Sequence, residues 1–158
     1  MSDEPGMDAQ APAHATAVRV YFQDTDAGGI VYHGRYLDFF ERCRMDWLRA
    51  LGFPIRVLER DHGVVFIVHE MRVSYLRPAR LEDDLAVELE LAALKGARLE
   101  LRQRVIRGTD TLVSAEVHLA CVDCAGLRPA RIPVSLRERL AGPGRRLSGT
   151  SNTTTTTP

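Results

Sequence analysis

From Arg35 to Leu51 the apolar residues Tyr36, Leu37, Phe40, Cys43, Trp47, Leu48 and Leu51 recur at spacings of three and four, and Asp38, Arg42, Asp46 and Arg49 take the positions between. That period winds one apolar stripe along an α-helix and leaves a charged opposite side. Asp38 to Arg42 and Arg42 to Asp46 are spaced for i,i+4 ion pairs worth about 0.3 kcal/mol each, and Gly52 is placed to end the helix. With Phe39 added, the apolar face is broader than one contact needs, so something large must cover it.

The cover comes from segments with a period of two. Val18, Val20 and Phe22 share one face of a short strand over Val18 to Phe22, and the turn residues from Asp24 to Gly29 end it. Pro54 to Gly63 is a short helix or loop. Val64 to Arg77 is a long strand that opens on an unbroken apolar run, and Pro78 stops its pairing. Leu85, Val87, Leu89 and Leu91 alternate in the next strand, Lys95-Gly96-Ala97 turns the chain, and Leu99, Leu101 and Val105 alternate in the one after. Beyond Arg107-Gly108-Thr109-Asp110 a last strand sets Val113, Ala115, Val117, Leu119 and Cys121 on one face, and Val134 to Leu140 forms a closing helical turn. Five strands with one long helix after the first give an α+β class, the later strands forming an antiparallel meander and the first inserted by a longer connection. Residues 1–16, rich in Ala and Pro, and 141–158, ending in a Thr run, read as disordered tails around one domain at 17–140.

Charge narrows the partners. The 21 Lys and Arg balance the 21 Asp and Glu, so no net field recruits nucleic acid or an anionic membrane. No apolar run approaches the roughly 18 residues that span a bilayer, and the start lacks the pattern of a signal peptide. Together with an odd number of cysteines, Cys43, Cys121 and Cys124, this places the protein in the cytoplasm.

Candidate chemistry concentrates between Tyr21 and Tyr36, where Asp24, Asp26, Gly28-Gly29 and Tyr32-His33-Gly34 lie between a strand end and a helix start. His33 and Gly34 stand where a capping Ser, Thr, Asp or Asn is usual, which leaves backbone N–H donors free to hold a carbonyl oxygen gaining negative charge. Asp before Gly is most often turn chemistry, and a lone histidine is most often a cap or a surface residue. Opposite an uncapped helix start, Asp26 also suits a general base or a nucleophile, with His33 across the same turn. His62, His69 and His118 lack metal-ligand spacing, and Cys121-Val122-Asp123-Cys124 is a single CxxC without the second pair that zinc needs. Arg72, Arg77, Arg80, Arg98 and Arg128 form a solvated set from which some can meet phosphates of a nucleotide ligand.

The run from Val20 to Tyr36 resembles the signature of the hotdog-fold acyl-CoA thioesterases of the 4-hydroxybenzoyl-CoA thioesterase class, and within it the YbgC branch associated with the Tol-Pal envelope system. Met71 to Arg80 and Cys121-Val122-Asp123 agree with it, although Cys124 stands where that branch often has Pro. The resemblance implies a hotdog, a five-stranded antiparallel sheet wrapped around one long central helix. It also implies dimers, often paired into tetramers, with sites at subunit interfaces. By position Asp26 matches the catalytic carboxylate, and His33 the motif histidine whose backbone N–H polarises the thioester carbonyl. Tyr32, Gly28, Gly29 and Gly34 then contact substrate, an acyl-CoA or an acyl carrier protein thioester. No cofactor and no metal is expected. A hydratase or dehydratase of the same fold, or a non-catalytic acyl-thioester-binding module, are the rival readings.

Overall fold

The computed structural model describes residues 12–142, so of the tails expected over 1–16 and 141–158 the parts 1–11 and 143–158 lie outside the described residues. The first strand, β1, runs His14–Arg19, and Phe22–Asp24 forms a single 3₁₀ turn. The strand expected at Val18 to Phe22 is thus displaced toward the N-terminus, and residues 14–16 of the expected tail belong to the sheet. The reason is backbone pairing: the ladder to the neighbouring strand runs from Arg19↔Asp84 back to His14↔Leu89, through residues with no apolar alternation to announce it. Phe22, 80% exposed, has no core to enter.

Helix α1, Arg35–Ala50, follows the turn and buries Tyr36, Phe39, Phe40, Cys43, Trp47 and Leu48, as the period of its apolar residues predicts. Neither expected i,i+4 pair forms. Asp38 pairs with Arg35 at 3.1 Å, and Asp46 accepts the Thr16 hydroxyl at 3.0 Å, tying α1 to β1 instead. Pro54 opens α2, Ile55–His62, and Gly63 closes it in the left-handed region (φ 63°) that glycine enters without strain.

The remaining strands are β2 (Val64–Tyr75), β3 (Asp84–Lys95), β4 (Arg98–Arg107) and β5 (Asp110–Asp123), followed by α3 (Val134–Ala141). All pairings are antiparallel in the order β1-β3-β4-β5-β2. The expected meander holds for β3 to β5, while β2 crosses to the far edge and β1 lies at the other edge rather than within the sheet. Two-residue loops at Gly96-Ala97 and Gly108-Thr109 close the hairpins. The curled sheet presents Leu85, Val87 and Leu89 of β3, Leu99, Leu101 and Val105 of β4, and Val113 to Cys121 of β5 to α1. At roughly 2 kcal/mol for each such side chain taken from water, this burial drives the fold. Helix α1 lies over β1, β3 and β4, and α2 meets β2, where the inward-facing Val68 and Tyr75 stay 48% and 49% exposed.

Candidate active site

The segment between β1 and α1 is a small hairpin. Thr25 and Val31 bridge, Asp26 N–H donates to the Ile30 carbonyl at 2.9 Å, and Gly29 N–H donates to the Asp26 carbonyl at 3.0 Å. Gly29 has φ 76°, a conformation that costs other residues about 1 kcal/mol or more. At this tip the Asp26 carboxylate is exposed, and its Oδ1 accepts the Gly28 N–H at 2.8 Å. A side chain at Gly28 would begin 3.1 Å from that oxygen, so the glycine leaves the carboxylate room.

Asp24, rather than Asp26, is the buried acid. It is 3% exposed, its Oδ2 accepts the Tyr21 N–H at 2.9 Å, and its Oδ1 accepts Arg35 Nε at 2.7 Å. Its backbone carbonyl accepts the Tyr32 N–H at 2.9 Å. One aspartate therefore staples the 3₁₀ turn, the outgoing limb of the hairpin and the first residue of α1. The two acids of the Asp-Thr-Asp run thus divide the work, one holding the backbone and one facing solvent.

Gly34 takes the cap position of α1 with no side-chain cap, as expected. Among the described residues the His33 and Gly34 backbone N–H groups have no hydrogen-bond partner. The His33 ring lies 4.3 Å from the ring of Tyr32 and 6.4 Å, edge-on, from that of Tyr75, whose hydroxyl donates to the His33 carbonyl at 2.9 Å. Tyr36, 5.8 Å from Tyr75, accepts the Ala79 N–H at 3.0 Å, and burial pushes its phenol up from the ordinary value. A side chain on Gly34 would start 2.8 Å from Tyr32 Cε1, so this glycine makes space for the tyrosine ring.

The structure therefore gathers Tyr32, His33 and Gly34 at the helix start. Asp26 stands on the adjoining hairpin with no hydrogen bond to His33. Sequence reasoning missed Tyr75 and Arg35, and for Asp24 it saw a turn residue but not its burial. For Tyr75 a signal existed, since it continues the inward alternation of Met71 and Val73. Asp24 and Arg35 look like any exposed charges until the fold joins them.

Among the described residues no cluster of His, Cys, Asp or Glu is placed to hold a metal, and the three cysteines are free. A groove of about 500 Å³ between β1 and α1 is lined by Arg19, Arg42 and Arg49 as well as Asp24 and Asp46, but neither Asp26 nor His33 reaches it. No helix among the described residues is long and apolar enough to cross a membrane.

A five-stranded antiparallel sheet curled about one central helix is the hotdog architecture, and here an exposed carboxylate turn stands beside that helix's uncapped start. The chain belongs to the Thioesterase-like superfamily, which it matches over residues 20–140. It is 43% identical over 120 residues to the acyl-CoA thioesterase YbgC of Haemophilus influenzae, covering 76% of this chain and 88% of that one. The acyl-CoA thioester hydrolase YbgC of Escherichia coli O6:H1 is 42% identical over 120 residues, with 75% and 89% covered. A crystal structure of a thioesterase from Thermus thermophilus, in complex with coenzyme A and Zn, superposes with a TM-score of 0.71 at 28% identity, over 82% of this chain and 92% of that one.

Proposed function

We propose that this chain hydrolyses acyl-CoA thioesters at the start of α1, with Asp26 as the reacting carboxylate. The family and the identity to curated acyl-CoA thioesterases support the activity. The observation that carries the site is the pairing of an exposed carboxylate on a tight hairpin with an uncapped helix start whose His33 and Gly34 N–H groups are uncommitted.

The thioester carbonyl oxygen sits against the His33 N–H, where the positive end of the helix dipole favours developing negative charge. Asp26 takes a proton from water as that water attacks the carbonyl carbon. Collapse of the tetrahedral intermediate expels the thiolate, which recovers the proton and leaves the free acid. The alternative route has Asp26 attack the carbonyl carbon itself, giving a mixed anhydride that water then opens. The Tyr32 and His33 rings orient the substrate or water, and Gly28, Gly29 and Gly34 let the acyl group approach the backbone. The same chemistry applies to an acyl carrier protein thioester. The free thiols fit a reducing, cytoplasmic setting, and the half-exposed inner side of β2 at Val68 and Tyr75, the latter beside His33, fits a homo-oligomer with the site at a subunit boundary.

Thiol release from a panel of short, long and aromatic acyl-CoAs tests the reading. The parent turns over and Asp26→Asn loses about 10²- to 10⁴-fold in kcat while its thermal unfolding is unchanged. An Asn variant retaining most of its activity removes Asp26 from the chemistry. A single turnover in isotopically labelled water separates the routes, since label in the Asp26 carboxylate requires the anhydride.

A further inference from the structure

Arg44 is an anomaly of the core. It lies inside α1 at 8% exposure, with no ion pair to any carboxylate among the described residues. Its hydrogen bond runs from Nη1 to Gln103 Oε1 at 2.9 Å, and Gln103, itself 1% exposed, is held by donating Nε2 to the Phe40 carbonyl at 3.0 Å. Gln103 is the one polar residue in the inward row of β4, so the fold gives up a core position to aim this guanidinium. Burial pulls Arg44 down from its ordinary value and the nearby Glu41 pulls it back, but a guanidinium stays charged near neutral pH. Among the described residues every fully buried side-chain nitrogen or oxygen has a hydrogen bond, so the Arg44 nitrogens that bond nothing keep an opening to the surface. A buried cation without an anion is costly, and that opening is where an anion belongs.

Glu41 shares this side of the helix. It is exposed and makes no ion pair among the described residues, not even with Arg44 one turn away. Leu37, one turn before Glu41, is 40% exposed in the same row. Beyond the row, Val68 and Tyr75 of β2, 48% and 49% exposed, face the same way as their buried cross-strand partners Leu119 and Val113. Asp46 and Cys43 of α1 meet β1 and β3 while Arg44 meets β4, so the row of Leu37, Glu41 and Arg44 lies on the side of the helix toward β5 and β2.

We infer that a second copy of this chain docks its α1 antiparallel against this row, so that Glu41 of each copy pairs with Arg44 of the other. In a two-fold contact between antiparallel helices, residues meet when they are equally spaced about a common midpoint. The midpoint of Glu41 and Arg44 falls between Arg42 and Cys43, which is also the centre of α1, Arg35–Ala50. One rotation therefore forms both ion pairs and overlaps the two helices along their whole length. It supplies the missing anion to each buried guanidinium. The inference rests on the homo-oligomeric reading above and names the contact that fixes its register.

Sedimentation equilibrium on Glu41→Arg, Arg44→Glu and their mixture tests this. In Glu41→Arg two cations face each other across the contact, and in Arg44→Glu two carboxylates meet, so each variant alone self-associates about a hundredfold more weakly than the parent. Mixed, the two chains restore an opposite-charge contact and form a heterodimer, which a pair formed within one chain would not do. Position 41 is exposed, so Glu41→Arg folds and decides the matter alone should Arg44→Glu not fold. Glu41→Arg that dimerises as tightly as the parent, or folded variants that fail to combine, overturns the reciprocal pair. A parent that is monomeric at every concentration overturns the assembly itself, and the Asp26→Asn comparison judges the chemistry separately.

Discussion

At Gly34 a single hydrogen atom decides the shape of the site. The cap backbone, at φ −71° and ψ −19°, is open to any residue, so conformational freedom is not the reason for glycine there. The reason is the Tyr32 ring 2.8 Å from a would-be Cβ. Tyr32 is half exposed and can swing away, so Gly34→Ala changes stability by less than about 1 kcal/mol yet separates the Tyr32 and His33 rings. Thiol-release kinetics then show about a tenfold loss in kcat/KM with the melting curve nearly unmoved. At the neighbouring ion pair the two partners are unequal. Asp24 is buried, whereas the Arg35 side chain is 28% exposed and turns to water when released. Arg35→Gln strands a buried carboxylate and destabilises more than Asp24→Asn, which keeps an acceptor for Tyr21 and costs about 1 kcal/mol. Urea unfolding of the two variants checks the order, and equal losses would mean that the pair is not buried in solution.

At the scale of elements, α1 is held to the sheet by polar as well as apolar contacts. Cys43 donates its thiol to the Val87 carbonyl of β3 at 3.3 Å, and burial pushes Cys43 and Cys121 up to about 11 from 9.0. The fold holds the neutral thiols, while the unfolded chain ionises them near their ordinary value. Above that value the unfolded state binds fewer protons than the native one, so stability falls as pH rises. The contribution is complete below about pH 9 and is lost as pH approaches 11. Urea midpoints at pH 8 and 10.5, for the parent and for Cys43→Ala with Cys121→Ala, check this: the alkaline loss shrinks in the double variant. Reaction with a disulfide reagent at neutral pH modifies Cys124 at once, because it alone is exposed, and reaches the other two only on unfolding.

For the whole molecule, five strands curl about α1, and the inner side of β2 stays half exposed at Val68 and Tyr75. The association inferred above stabilises only the folded chain, so it predicts an unfolding temperature that rises with protein concentration, by a few degrees for each hundredfold, and a flatter dependence in Glu41→Arg. Calorimetry over a concentration series measures it. Much of this architecture was legible in the chain. The three-and-four spacing from Tyr36 to Leu51 and the alternation in β3, β4 and β5 report burial directly, because a side chain's face follows from its period. The Gly-Gly turn and the missing cap at His33-Gly34 were legible for the same local reason. Pairing, by contrast, is a property of two segments. That β1 begins at His14, that β2 crosses to the far edge, that Asp24 rather than Asp26 is buried against Arg35, and that Arg44 enters the core on the arm of Gln103 depend on residues 11 to 75 positions apart meeting in space. By itself the sequence determined the elements, their apolar faces and the stretch that carries the candidate chemistry, since those follow from local backbone geometry and burial. Only the tertiary structure decided which charges lose their water and what each must then find as a partner, because desolvation is set by everything packed around a group and not by its place in the chain.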